Sequence, residues 1–173
     1  MHDRAEFWSP VPEWTQVSLQ GVRVGVVPVN GMAAWLVSGD ALEFLTRGQI
    51  REICGPRQIC SMDAYALRLA PDRLLVVTSN IAIAPPHSNS NCTTTDISDG
   101  LLMFDVFGEC AAELMAQGSE YPFNATQVLP LESATMNFGG FRVIVSRRAE
   151  GWRLHVERPW AAALWRWLEA RIK

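Results

Sequence analysis

The chain has 173 residues, 49% hydrophobic and 19% charged, with a net charge of −3. That is long enough to bury a core without staples and is an ordinary globular balance. No cationic cluster exists beyond Arg147-Arg148, so nothing would neutralise a run of phosphates, and nucleic-acid binding is excluded. The start, MHDRAEFWSP, lacks a basic-then-apolar signal pattern, and no apolar run approaches the ~18 residues of a membrane span. The expectation is a soluble, cytoplasmic protein.

Residues 1–20 hold Pro10 and Pro12 among the aromatics Phe7, Trp8 and Trp14. Proline fixes φ and removes a donor, so this stretch is predicted as an extended arm. Three large aromatics on an arm need cover, either from its own domain or from a neighbour. The chain has seven tryptophans, a residue enriched where proteins meet but also used in cores.

Residues 22–29 are β-branched and read as a strand, closed by an Asn30-Gly31 turn. A second strand over 33–37 is expected to pair with it. Asp40 is placed to cap a helix over 41–53, with Leu42, Leu45, Gln49, Ile50 and Ile53 near helical spacing; Cys54-Gly55-Pro56 ends it. Tyr65, Leu67 and Leu69 alternate with Ala66 and Arg68, then Ala70-Pro71-Asp72 turns into 73–78, predicting a β-hairpin. Residues 80–95 contain PPHSNSNC, a loop and the natural internal boundary.

Residues 95–107 are expected to form one long strand with a bulge at Gly100. A helix follows Gly108-Glu109 and ends at Gly118 in the C′ role. Strands are predicted at about 133–137, 141–146 and 152–157. In the last, Trp152, Leu154 and Val156 alternate with Arg153, His155 and Glu157, which puts His155 on a polar, solvated face. A closing helix starts near Pro159, with Trp160, Ala163, Leu164, Trp167 and Leu168 on one stripe. Trp165 falls off that stripe.

Strands do not alternate strictly with helices. The fold class is therefore α+β, with mostly antiparallel sheets and a few packed helices. The domain reading is the arm at 1–20 and a single domain over 21–173, with sub-domains at 21–80 and 94–173 joined by the Pro/Ser/Asn loop.

The search for chemistry returns little. No dinucleotide fingerprint, phosphate loop or nucleophile elbow is present. Cys54, Cys60, Cys92 and Cys110 lack zinc spacing and are read as four free thiols of a reducing cytosol. A Cys–His pair would have to form in space from these and His2, His87 or His155. The densest carboxylates are Asp96, Asp99, Asp105 and Glu109, for which capping and turn roles outweigh a paired-carboxylate site. The site reading is accordingly negative: no catalytic, cofactor-binding or metal-ligating residue, and a partner interface at Phe7, Trp8, Pro10, Pro12, Trp14 and Trp165.

Residues 62–173 carry a resemblance. Thr95-Asp96-Ile97-Ser98, a strand, then Gly108-Glu109-Cys110-Ala111, Leu114 and Gly118 are similar to a signature shared by glycine-cleavage aminomethyltransferases and sarcosine oxidase gamma subunits. The hairpin over 65–77 and the ending from Trp152-Arg153-Leu154-His155-Val156-Glu157-Arg158 to Leu164-Trp165-Arg166-Trp167-Leu168 resemble the gamma subunits. Asp72-Arg73-Leu74 and Gly108-Glu109 depart from the family pattern.

The resemblance implies an aminomethyltransferase folate-binding-domain-like fold. It also implies a non-catalytic accessory subunit of a heteromeric flavoenzyme that demethylates sarcosine oxidatively in one-carbon metabolism. Flavin, NAD and tetrahydrofolate are then implied in partner subunits and no cofactor in this chain. Apart from the resemblance, the aromatic arm is read as a surface for forming a homo-oligomer when the chain is alone. In the aminomethyltransferases an acidic residue near the folate follows a Gly-Gly turn. Here Gly139-Gly140 leads into Phe141-Arg142-Val143-Ile144, and an arginine has no acceptor with which to replace a carboxylate. The alternative is a free-standing folate-binding protein or aminomethyltransferase-like enzyme.

Overall fold

The computed structural model describes residues 11–40, 50, 53–60, 64–79, 91–123 and 134–172. Among them, β-branched and leucine-rich runs make eleven strands: β1 (Leu19–Gln20), β2 (Gly25–Val29), β3 (Ala33–Gly39), β4 (Ile53–Cys54), β5 (Ala64–Ala70), β6 (Arg73–Thr78), β7 (Cys92–Asp96), β8 (Leu101–Phe107), β9 (Thr135–Phe138), β10 (Phe141–Arg148) and β11 (Gly151–Glu157). Two helices are described, α1 (Ala111–Gly118) and α2 (Arg158–Glu169), with a short 3-10 turn at Ser98–Gly100.

The strands form a six-stranded sheet in the order β1-β2-β8-β11-β10-β9 and a five-stranded sheet in the order β4-β5-β6-β3-β7. Every pairing is antiparallel except β4 with β5, which is parallel. This is the α+β architecture the sequence predicts. Each sheet draws strands from both sides of the Pro/Ser/Asn loop.

The helices cover one face of the six-stranded sheet. Phe104, Val106, Val143, Val145, Leu154 and Val156 point into that layer, against Leu114 and Met115 of α1 and Ala161, Leu164, Trp165 and Leu168 of α2. Each such side chain contributes roughly 1.5–3 kcal/mol on burial. The other face stacks on the five-stranded sheet, where Leu101 and Met103 meet Tyr65, Leu67, Leu75 and Val77.

Several expectations are corrected. Strand β3 does not pair with β2; it lies between β6 and β7, while β2 joins β8. The stretch 95–107 is two strands in different sheets, because the Ser98–Gly100 turn carries the chain from one to the other. Ile53 is in strand β4 rather than a helix end; residues 41–49 and 51–52 of the expected helix lie outside the described residues, as do 80–90 of the expected loop. Gly118 is not among the positive-φ glycines, so it is no left-handed cap; a Cβ there would strike the Phe138 ring. Cys54 and Cys60 are not free thiols but a disulfide, with Cα atoms 5.6 Å apart; Cys92 and Cys110 are outside any disulfide.

Candidate functional site

The predicted interface residues fall in different places. Phe7, Trp8 and Pro10 lie outside the described residues, and Pro12 is half-buried. Trp14 packs at 5.4 Å from Phe104 and 5.8 Å from Trp165, ring centre to ring centre. Trp165 is 5% exposed and sits 5.3 Å from Phe104. It is therefore on the buried stripe of α2, which runs through Ala161, Leu164, Trp165 and Leu168. Trp160, expected on that stripe, is 54% exposed. The true stripe is turned by about one position from the one the spacing suggests.

The acidic residues separate as well. Asp96 accepts from the amide (2.9 Å) and hydroxyl (2.6 Å) of Ser98, bonds that hold its carboxyl below the usual range. Ser98 in turn accepts from the Ala34 amide at 2.9 Å, so the Asp96-Ile97-Ser98 motif is a knot that turns the chain from β7 toward β8. Glu109 pairs with Arg23 at 3.0 Å on the surface. Asp105 alone enters a buried constellation.

That constellation lies between the sheets and is built by alternation. On β8 and β11, side chains at Asp105, Arg153 and His155 point away from the helices. Asp105 and Arg153 are directly opposed in register, and the guanidinium grips the carboxylate through two bonds, 2.7 and 2.8 Å. Arg153 also donates to the Tyr65 hydroxyl at 3.4 Å. Burial opposes its charge, and the Asp105 and Tyr65 bonds more than offset that and raise its pKa.

His155 is 1% exposed, not solvated as alternation alone suggests. Its Nδ1 lies 2.9 Å from the Ile144 carbonyl. A carbonyl only accepts, so Nδ1 carries the hydrogen and Nε2 accepts from the Tyr65 hydroxyl at 3.0 Å. Burial, then the charge of Arg153, pushes the ring down to about 4, so it is neutral near pH 7. Burial likewise raises Tyr65. Both imidazole nitrogens are engaged and the tyrosine proton is committed. This is the pattern of a satisfied core network rather than of an activated nucleophile.

Beside it opens a cavity of about 350 Å³ with Leu36, Leu69, Ile97, Leu101 and Ile144 in its walls. Thr135, Arg73, Arg142, Glu157 and the edge of His155 add polar groups. The size and the few polar groups suit a small organic ligand. The Gly139-Gly140 turn, at φ of 61° and 89°, sends β10 back so that Arg142 and Ile144 line this cavity. Its carboxylate comes instead from Glu157 on the next strand. Among the described residues no cluster of His, Cys, Asp and Glu is grouped to hold a metal ion. Sequence reasoning missed Tyr65, Arg153 and His155 as partners. The one available signal was Asp105 interrupting the otherwise apolar run of β8.

Solved structures share this fold. The chain superposes on a chain of heterotetrameric sarcosine oxidase from Corynebacterium sp. U-96, solved with pyrrole 2-carboxylate, with a TM-score of 0.66 and 13% identity. The match covers 90% of this chain and 87% of that one. It also matches the glycine cleavage system aminomethyltransferase T from Bartonella henselae, with a TM-score of 0.58 and 17% identity over 88% of this chain. The fold is of the aminomethyltransferase type. The chain spans 48% of that enzyme's length. No protein-family model matches the sequence, and no curated protein matches it.

Proposed function

We propose that the chain is a non-catalytic accessory subunit of a sarcosine-oxidase-like heteromeric flavoenzyme complex. The observation that carries this reading is reciprocal coverage. The chain matches nearly the whole of one chain in a heterotetrameric sarcosine oxidase but only about half of an aminomethyltransferase. The bonds of the Tyr65 hydroxyl to His155 and Arg153, and of His155 to the Ile144 carbonyl, support the same reading, since each of these groups already has a partner within the chain. In this proposal flavin, NAD and tetrahydrofolate belong to cytoplasmic partner subunits, and this chain supplies shape and contact area.

The test is isolation of the tagged chain from its own cells grown on a methylated amine. A flavoprotein that oxidises sarcosine should accompany it at fixed stoichiometry. Recovery of the chain alone from cells with full sarcosine oxidation would overturn the proposal.

A second reading, a free-standing folate-binding protein or aminomethyltransferase-like enzyme, draws on the cavity beside His155. Calorimetric titration of the isolated chain with a reduced folate separates the two. Saturable heat favours the second reading, and no heat at millimolar ligand removes it.

A further inference from the structure

Residues 53–60 begin in one sheet and finish on the other. Ile53 and Cys54 pair with Ala66 and Leu67 of β5. The strap that follows lies along the end of β10 that β9 does not reach, since β9 stops with Thr135 opposite Ile144. There the Arg147 amide donates to the Gly55 carbonyl at 2.9 Å, and the Cys60 amide donates to the Arg147 carbonyl at 2.7 Å. The Trp152 indole donates to the Pro56 carbonyl at 2.9 Å, and the Arg147 guanidinium stacks on that indole at 3.8 Å. Arg57 lies 5.3 Å over the Tyr121 ring. Cys54 and Cys60 stand at the two ends of the strap and are bonded to each other.

We propose that Cys54 and Cys60 form a redox-responsive clasp between the two sheets: oxidised, it fastens the strap onto β10; reduced, it lets the strap lift. The strap is a short segment whose two ends are buried, at Cys54, Gly55, Pro56 and Cys60, and whose tip, Gln58-Ile59, is exposed, with Ile59 52% exposed, so the tip adds little apolar burial. Between its buried ends the strap is held to β10 and its neighbours by the two backbone bonds at Arg147, the Trp152 indole bond to Pro56 and the Arg57–Tyr121 contact. Closing the segment into a ring makes those bonds open and close together, and restricts the freed state.

Both cysteines are 2% exposed, so a reductant reaches the sulfurs through local opening of the strap. The step is a thiol–disulfide exchange with an external dithiol. Its thiolate attacks one sulfur, a mixed disulfide forms, and the second thiol resolves it. Two electrons and two protons pass to Cys54 and Cys60 as the dithiol becomes a disulfide. In a thiol-rich compartment the surrounding reduction potential then sets the state of the clasp.

Alkylation of the unfolded, unreduced chain is expected to label Cys92 and Cys110 and to spare Cys54 and Cys60 until dithiothreitol is added. Amide exchange on the native chain, with and without dithiothreitol, reads the clasp itself. Exchange at Cys60 and Arg147 should accelerate by about tenfold to fiftyfold on reduction, the entropy of so small a ring, while Phe104 and Leu154 stay unchanged. The Cys54→Ser/Cys60→Ser variant should reproduce the reduced pattern; should it not fold, the reduced natural chain gives the same reading. Labelling of all four cysteines in air-oxidised chain, or equal exchange at Arg147 in both states, overturns the proposal.

Discussion

The two faces of the six-stranded sheet are buried by different means. The face under the helices is apolar throughout, with Phe104, Leu154, Trp165 and Leu168 at its centre. The face against the second sheet carries Asp105, Arg153 and His155 amid Leu101, Met103 and Leu67. The first face is held by area and packing density, and tolerates similar shapes. The second is held by complete satisfaction of a few polar groups, and loses most when one partner is removed.

The largest effect is expected on the helix-covered face. Phe104→Ala empties the position beneath Trp14 and Trp165 and should cost about 3–5 kcal/mol, measured by denaturant unfolding. On the other face, Arg153→Met leaves Asp105 without its buried partner and should cost about 3 kcal/mol. Adding Asp105→Leu should recover part of that loss, whereas additive losses would mean that the pair is not coupled.

On the polar face a pH dependence is expected at His155. The ring of His155 is depressed from 6.5 to about 4 by burial, so the native state favours the neutral form. Its contribution is fully present above pH 6.5 and is lost as pH falls toward 4, amounting to about 3 kcal/mol across the window. His155→Gln should flatten that window in urea titrations at stepped pH. The smallest effect is at Trp160, which is exposed: Trp160→Ser should stay within about 0.5 kcal/mol in the isolated chain.

The same contrast explains what the sequence made legible. The hairpin over β5 and β6 and the closing β11–α2 unit are local: their turn residues and periodicity sit within a few residues of each other. The partner of β3 and the break between β7 and β8 are set by which sheet each strand joins, and strand propensity carries no record of that. For β11, period-two spacing reports that side chains alternate but not what lies beyond each face. His155 was assigned to water because the second sheet, brought from 64–78, is invisible in the local pattern. The Asp105–Arg153 pair is 48 residues apart in sequence, and the Cys54–Cys60 bond depends on a strap whose path only the two sheets define. A capping and turn role is legible for the acidic residues at 96–99, and the structure gives Asp96 two bonds to Ser98 where the Ser98–Gly100 turn begins.

In the proposed complex, electrons and carbon move in partner subunits while this chain holds its shape. The most direct test is sarcosine turnover per flavin in the isolated complex when this chain carries Arg142→Ala and His155→Gln. Turnover is expected to stay within about twofold of the natural complex, with lowered thermal stability of this subunit. A loss of more than about a hundredfold, the scale of a missing general acid or base, in a complex of unchanged mass and flavin content would contradict it.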